Sequence, residues 1–154
     1  MRNKTLTIVT LGAMLTLGSC NRDKVYSHYV HIESAQWEKT DTVHFYIPHL
    51  KETGTYRGSI GLRIDNDFPY QKLALEVSTE ILPEEQFIKH SFNCDIIDKH
   101  GTIKGSGISH YQYDFPTDVL HLKEGDSVHV TVIHNMKREI MPSICDVGFT
   151  VTKE

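Results

Sequence analysis

Hydrophobic and polar residues alternate along most of this chain. In one clear example, Val43, Phe45 and Ile47 point to one side of the chain, while His44 and Tyr46 point to the other. A period of two residues is typical of a β-strand that buries one of its faces. The same alternation recurs in the segments 25–32, 55–64, 73–78, 92–96, 109–115, 128–132 and 145–151. No stretch keeps the 3.6-residue period of a helix for three turns.

Turn-forming residues separate these segments. Pro48 and Gly54 stand between two alternating runs, and so do the groups 65–69 and 98–101. Seven or eight short strands separated by such turns predict an all-β domain, an antiparallel β-sandwich of the jelly-roll or immunoglobulin-like kind. The segment 83–89 is an exception, because it has room for one turn of helix.

The first residues have the pattern of a bacterial signal peptide. Arg2 and Lys4 give a positive start, and the run 5–18 contains no charged residue. This run is shorter than the roughly 20 residues that a helix needs to cross a bilayer. We therefore expect a segment that is removed, and not one that spans the membrane.

The end of this run resembles a lipobox. Leu17, Gly18 and Ser19 place one large and two small residues before Cys20, whose thiol would carry the lipid. The alternative is an ordinary secretory signal in which a cysteine stands by chance. The spacing favours the lipobox, and it predicts lipidation of Cys20 and a membrane partner through that anchor.

The lipobox also fixes the expected domain organisation. Residues 1–19 form the signal peptide, residues 20–24 the lipidated cysteine with a short tether, and residues 25–154 the sandwich domain. Two or three acyl chains hold a protein on a bilayer, because each buried methylene contributes about 0.8 kcal/mol. The expected location is the cell envelope, on the periplasmic face of the inner or outer membrane or on the cell surface.

Charge and cysteine content further limit the partners and the disulfide bonds that we expect for this protein. The chain has a formal charge of −4, and removal of the two cations Arg2 and Lys4 changes it to −6. A negative balance argues against a nucleic-acid partner. Cys94 and Cys145 lie in a compartment that permits disulfides, and a bridge and two buried free thiols explain them equally well.

No sequence pattern identifies an enzyme or a metal protein. The ten histidines include no HExxH motif and no pair two residues apart on a predicted strand, which favours scattered surface histidines. The sequence also has no nucleophile elbow, phosphate-binding glycine loop or dinucleotide motif. We therefore predict no catalytic, cofactor-binding or metal-binding residue, no small-molecule substrate and no enzyme activity.

Aromatic residues allow two interpretations. Six of them could form a stacking platform for a sugar or a partner protein, or they could pack in the core and between strands. These six are Trp37, Tyr46, Tyr56, Tyr70, Tyr111 and Tyr113. The ordinary use of aromatic side chains in sheets favours packing for most of them.

Several segments resemble the gliding-motility lipoprotein GldH family. The densest similarity is in the segment 134–148, which resembles that family's strand ending in His-x-Met-Arg, short loop and Ile-x-Asp-Val-Gly. Trp37, Arg63 and Tyr70 belong to earlier blocks that are similar to the same family. The chain departs from the family at Ser143, where glycine is common.

The resemblance implies a non-enzymatic lipoprotein of the cell envelope, an accessory component associated with gliding motility and its secretion machinery. Such a protein is expected to bind other envelope proteins with one face of its sandwich. The candidate interaction residues are Met136, Lys137, Arg138, Trp37, Arg63 and Tyr70. The alternative is a carbohydrate-binding sandwich of the cell surface or periplasm, and a hydrolase with dispersed carboxylates ranks third.

Overall fold

The computed structural model describes residues 23–154, so the predicted signal peptide and the predicted lipidation site Cys20 lie outside the described residues. In chain order the elements are β1 (Lys24–His31), a 3₁₀ helix (Glu33–Ala35), β2 (Gln36–Glu38), β3 (Val43–Ile47), β4 (Gly54–Asp65), β5 (Lys72–Leu82), β6 (Gln86–Asp95), β7 (Ser106–Gly107), β8 (His110–Leu122), β9 (Ser127–His134), β10 (Ile140–Pro142) and β11 (Ile144–Lys153). No helix in this part of the chain is long and apolar enough to cross a membrane.

Two main antiparallel sheets form a sandwich. The first has the strand order β1-β11-β4-β8-β7 and the second the order β3-β9-β5-β6, while β10 and β2 form a separate pair. The predicted all-β antiparallel sandwich is confirmed. Residues 23–154 contain eleven strands and not the expected seven or eight, mainly because β2, β7 and β10 have only two or three residues each. Strands of that length are too short to produce an alternating pattern.

The prediction of a helical turn at 83–89 is wrong. Residues 83–85 form a turn, and β6 begins at Gln86. The strand then pairs with β5 from Ile81 back to Lys72. This pairing satisfies the backbone N–H and C=O groups of the segment as part of a sheet, so tertiary structure overrides a weak local preference.

The hydrophobic core lies between the two sheets. The apolar positions of the alternating pattern point inward, and Phe45 of the second sheet packs against Phe149 of the first with ring centres 5.8 Å apart. The largest fully buried side chains are Trp37, Tyr56, Phe45, Phe149, Ile60, Leu62, Ile64, Leu73, Leu75, Ile96, Leu122 and Met141. Burial of each such side chain contributes about 1.5–3 kcal/mol to folding. The outer faces of both sheets are therefore free to carry polar residues.

The strands give the sandwich two distinct ends. Lys24, the first residue of β1, pairs with Thr152, and we name this the proximal end because the chain leads from it toward Cys20. At the other end β1 stops at His31, which pairs with Asp146, and we name this the distal end. Seven steps of about 3.3 Å separate the two ends of β1, a distance of roughly 23 Å.

The two cysteines of the domain are free thiols with different surroundings. Cys94 lies in the core on β6, and burial raises its pKa to about 12. Cys145 is not part of the contiguous core, because a β-bulge between Ile144 and Asp146 shifts the register of β11. Ile144 and Cys145 are both buried, so the simple alternation of buried and exposed residues breaks at this bulge.

Candidate functional site

The fold brings the four segments that carry the candidate interaction residues to the distal end. Trp37 lies on β2, Arg63 two residues before the end of β4, Tyr70 on the β4–β5 connection and residues 136–138 on the β9–β10 loop. Trp37 of the β2–β10 pair packs edge-on against His134, the last residue of β9 in the second sheet, with ring centres 5.4 Å apart. Residues far apart in sequence therefore belong to one region of the molecule.

The aromatic candidates lie mostly in the packed part of the distal end. Trp37 is fully buried, and its indole N–H donates to the carbonyl of Asp41 at 2.9 Å. Met141 stands opposite it on β10 and is also fully buried. Tyr70 is partly buried and packs edge-on against Phe68 with ring centres 5.6 Å apart. Trp37 can act on a partner only by supporting the surface above it.

The β9–β10 loop combines a buried anchor with two exposed cations. Met136 packs against the core, and its sulfur accepts a hydrogen bond from the Ala74 N–H at 3.3 Å. The Asn135 N–H donates to the carbonyl of Ala74 at 2.8 Å. Lys137 and Arg138 are exposed and form no ion pair with another residue of 23–154. The loop is thus fixed at its base and presents two available positive charges.

Arg63 belongs to a connected polar group on the outer face of the first sheet. Its guanidinium lies 4.3 Å from the centre of the Tyr29 ring, and its Nη1 atom lies 3.6 Å from Asp146 Oδ2. The Asp146 Oδ1 atom lies 3.1 Å from His31 Nδ1. Strand register explains this group, because His31, Asp146 and Arg63 are neighbours across β1, β11 and β4. An exposed cation–π contact of this kind is worth about 0.5–1 kcal/mol.

The Tyr29 ring lies across two glycines. A Cβ atom on Gly148 would lie 2.5 Å from Tyr29 Cε1, and a Cβ atom on Gly61 would overlap the same ring. Only glycine leaves room for the ring at these two paired positions. The three residues of the segment Asp-Val-Gly therefore have different structural roles. Asp146 forms the ion pairs, Val147 is fully buried in the core, and Gly148 leaves room for the Tyr29 ring.

Tyr29 is set up to donate a hydrogen bond from the outer face. Burial raises the pKa of its phenol above the usual value, and the negative charge of Asp114 raises it further while Arg63 opposes the change. The phenol therefore keeps its proton at neutral pH. Its oxygen accepts a long hydrogen bond from the side-chain amide of Gln112 at 3.5 Å, so the hydroxyl proton stays available to a bound group.

A second surface group of rings lies on the outer face of the second sheet. Tyr46 stacks on His129 with ring centres 4.4 Å apart and planes 7° apart. His44 lies edge to edge with His129, since their planes differ by 13° and a 3.1 Å hydrogen bond joins His44 Nδ1 to His129 Nε2. The other nitrogen of His129 lies 3.6 Å from Glu80 Oε2. We call Tyr46, His44, His129 and Glu80 the Tyr46 group. Tyr46 is 67% exposed, so the group presents an accessible aromatic ring with polar side chains beside it.

A cavity of about 490 Å³ lies at the proximal end, beside Asp23. Leu50 and Tyr56 line it, and Lys153, which pairs with Glu52, contributes to its wall. The cavity is therefore separate from the candidate interaction residues and lies beside the first described residue of the chain.

One group of three side chains within residues 23–154 could hold a metal ion. Asp65, His110 and Cys145 each offer one ligand atom, and these atoms lie within 4.8 Å of one another. The residues come from β4, β8 and β11, so no sequence spacing indicated them. The prediction from spacing alone could not have found such a group.

Sequence reasoning also missed Tyr29, His31 and His129 as parts of surface groups. Their contacts cross from strand to strand, and the pairing of β1 with β11 or of β3 with β9 has no local signal in the sequence. Gly61 and Gly148 offered a usable signal for Tyr29, because glycine inside a strand often marks the close approach of another group.

Comparison with known proteins identifies the family of this chain. Residues 24–151 match the family model described as GldH lipoprotein. The chain is 28% identical over 165 residues to the gliding motility lipoprotein GldH of Flavobacterium johnsoniae, covering 100% of this chain and 99% of that protein. It is 24% identical over 163 residues to the gliding motility lipoprotein GldH homolog of Christiangramia forsetii, covering 99% of this chain and 98% of that protein.

Among solved structures, the globular domain of zebrafish complement 1qA protein is similar to this chain with a TM-score of 0.46 and 15% identity, covering 85% of this chain and 96% of that one. The family match extends over nearly all of the described residues and includes the segments that form the distal end. This chain therefore belongs to the GldH lipoprotein family and is a lipid-anchored lipoprotein of the cell envelope.

Proposed function

We propose that this lipoprotein is a non-enzymatic accessory component of gliding motility and its secretion machinery, and that it binds other envelope proteins with its distal end. A lipid on Cys20 would hold the proximal end at the membrane. Asp23 follows Cys20 by three residues, and a chain of that length can reach at most about 10 Å, at about 3.5 Å per residue. The distal end would then point away from the bilayer, toward partners in the envelope.

The observation that carries this proposal is the fixed loop with its two available cations. Met136 and Asn135 hold the loop to β5, so binding a partner costs little additional ordering entropy. Arg138 supplies directed hydrogen bonds from a rigid fork, and Lys137 adds a compact charge. Arginine is enriched among the residues that dominate protein interfaces. An acidic surface on an envelope protein is the complement that this loop fits.

The test compares two pairs of exposed cations at opposite ends of the domain. In the distal variant Lys137 and Arg138 are both replaced by Ala, and in the proximal variant Lys24 and Lys51 are both replaced by Ala. Each tagged lipoprotein is expressed in a deletion strain, cross-linked, and captured with its envelope partners. We expect the distal variant to lose captured partners per folded molecule and the proximal variant to capture them as the unaltered protein does. Equal capture by both variants would contradict a distal binding surface.

The anchor has its own test. Cys20→Ala removes the thiol that would receive the lipid and lies outside the sandwich, so the domain should fold while fatty-acid labelling disappears. A variant that still incorporates labelled fatty acid and still partitions with detergent would show that the anchor is elsewhere.

The Tyr46 group supports a second candidate function, carbohydrate binding. Its exposed ring can stack on the apolar face of a sugar, while His44 and Glu80 can bond to the hydroxyl groups. Retention on a panel of insoluble polysaccharides tests this function. We expect Tyr46→Ala to abolish retention and His100→Ala, a change at an exposed histidine in another loop, to preserve it. If the unaltered protein is not retained, the aromatic group serves only to pack the outer face of its sheet.

A further inference from the structure

Asp65, His110 and Cys145 bring a carboxylate, an imidazole and a thiol together at the distal end of the first sheet. Asp65 and His110 are paired residues of β4 and β8, and His110 Nε2 lies 2.8 Å from Asp65 Oδ1. Cys145 approaches them from β11. Three strands thus contribute three different donor atoms, nitrogen, oxygen and sulfur, to one small volume.

Local backbone structure brings the thiol to the carboxylate. The Ser143 carbonyl accepts the Asp65 N–H at 2.9 Å and lies 4.0 Å from Cys145 Sγ, within reach of the S–H donor. Ser143 has a φ angle of +66°, and the register of β11 then shifts at the bulge between Ile144 and Asp146. Bulges redirect single side chains and are frequent beside functional sites. The turn and the bulge together place the buried thiol of Cys145 outside the contiguous core cluster and beside Asp65.

The His110 ring directs its Nε2 atom toward Asp65. Its Nδ1 atom lies 3.3 Å from Ser109 Oγ, while Nε2 faces Asp65. Histidines that bind metals usually have their second nitrogen held by a hydrogen bond, which orients the ring. The His110 side chain is 62% exposed, so the ring can move outward to admit an ion.

The two cysteines of the domain are both buried, but only Cys94 belongs to the contiguous core. Cys94 is enclosed by the core, where a thiol acts as a small apolar side chain. Cys145 stands outside the contiguous core and beside two carboxylates, Asp65 and Asp146. Burial, together with a hydrogen bond and the charge of Asp65, raises the pKa of Cys145 to about 11. The thiol therefore keeps its proton at neutral pH unless a cation takes the place of that proton.

We propose that Asp65, His110 and Cys145 bind a zinc ion. Zinc accepts oxygen, nitrogen and sulfur donors in a tetrahedral arrangement at about 2.0–2.3 Å, which sets the donors about 3.3–3.8 Å apart. The separations here run from 2.8 Å to 4.8 Å at most, so shifts of about 1 Å in two partly exposed side chains complete the geometry. Binding forms the zinc–sulfur bond, breaks the S–H bond of Cys145 and releases one proton to solvent.

Three protein donors leave the fourth position to a water molecule on the solvent side, past His110. The ion would join β4, β8 and β11 at the end of the domain that is farthest from the tether. A site of this kind would stabilise the distal end whether or not that end binds an envelope protein, so the two proposals can fail separately.

The test uses the lipidated protein purified in detergent and cobalt(II) as a coloured substitute for zinc. A cobalt–thiolate bond gives a near-ultraviolet charge-transfer band that reports directly on a cysteine ligand. We expect one equivalent of cobalt to produce this band, zinc to displace it, and each zinc to release one proton in weakly buffered solution. Two control variants, Cys94→Ala and His100→Ala, should keep the band, because Cys94 lies in the core and His100 on another loop.

Variants of the three proposed ligands test whether each side chain binds the metal ion. Cys145→Ser should abolish the band, and His110→Ala and Asp65→Asn should each weaken zinc binding by more than about tenfold, the loss seen even for groups one shell farther out. His110 is exposed, so its variant keeps the test decisive if Cys145→Ser fails to fold. No band in the unaltered protein, or a band that survives Cys145→Ser, would overturn the proposal. Unchanged zinc affinity in His110→Ala would also overturn it.

Discussion

The ring of Tyr29 occupies the space where a side chain on Gly148 would stand. The glycine backbone lies below the ring, and the guanidinium of Arg63 lies 4.3 Å above its centre. The ring is therefore held between a backbone surface and a cation that is itself paired to Asp146. One glycine in a strand thus determines the position of an aromatic ring, and the ring in turn supports a charged surface at the distal end.

We predict that Gly148→Ala lowers the free energy of unfolding by about 1–3 kcal/mol, because the added methyl group must displace the Tyr29 ring and its contact with Arg63. Urea unfolding followed by circular dichroism measures the change. A double-mutant cycle provides the control. In a Tyr29→Ala background the ring is gone, so Gly148→Ala should cost less than about 0.5 kcal/mol. An equal cost in both backgrounds would show that the clash lies elsewhere.

Two neighbouring residues of the β9–β10 loop should differ sharply in their effect on stability. Met136→Ala removes a side chain that packs against the core and caps the Ala74 N–H, so it should cost about 1–3 kcal/mol. Arg138→Ala removes an exposed side chain without an ion pair among the described residues, and it should change stability by less than about 0.5 kcal/mol. Thermal unfolding of both variants checks this, and similar losses would mean that Arg138 also holds the fold together.

The alternating pattern was sufficient to predict the long strands and their inner faces. Val43, Phe45 and Ile47 are buried while His44 and Tyr46 point outward, as a period of two requires. The pattern failed where the register changes within a strand. At Cys145 a bulge interrupts β11, and a bulge depends on the neighbouring strand and not on the local order of apolar and polar residues.

We predict that Ser143→Gly stabilises the protein by about 0.5–1 kcal/mol. Ser143 has a φ angle of +66°, a left-handed conformation that costs a residue with a β-carbon about 1–2 kcal/mol, and the greater freedom of glycine in the unfolded chain offsets part of the gain. This conformation also explains why glycine is common there in the family that the sequence resembles. Ser143→Ala keeps the β-carbon and is the matched control. If both variants have the same unfolding midpoint, backbone strain does not account for the preference.

The surface groups could not be predicted from the sequence, for a different physical reason. Arg63, Asp146 and His31 lie on three strands, and their contact follows only from the order β1-β11-β4. Residue spacing fixes which face of a strand a side chain occupies, while strand order depends on the global packing of both sheets. The resemblance to a known family pointed to Arg63 because family motifs record the outcome of that packing without explaining it.

We expect His134 to make the stability of the protein depend on pH. The residue continues the inward positions of β9, is fully buried against Trp37, and neither ring nitrogen has a hydrogen-bond partner within residues 23–154. Burial lowers the pKa of the imidazole below its usual value. Backbone groups of Trp37 and Glu139 raise the pKa without forming hydrogen bonds of good geometry, and burial has the larger effect.

We predict that the folded protein loses stability as the pH falls below about 6.5, the pKa of an unperturbed histidine. The folded-state pKa is lower than the unfolded one, so in this range the unfolded chain binds a proton that the folded chain does not. The free energy of unfolding then decreases by up to about 1.4 kcal/mol per pH unit for this one proton, and the contribution is constant at higher pH.

Urea unfolding at a series of pH values between about 5 and 7.5 measures this slope. This range lies above the pH at which carboxylates with lowered pKa values, such as Asp95 and Asp98, lose their contribution to stability. His134→Leu keeps an apolar side chain at this inward position and removes the titrating group, so its slope should be smaller by one proton. His100→Leu alters an exposed histidine and should retain the slope of the unaltered protein. If His134→Leu and the unaltered protein lose stability in parallel, the buried imidazole is not the group that titrates.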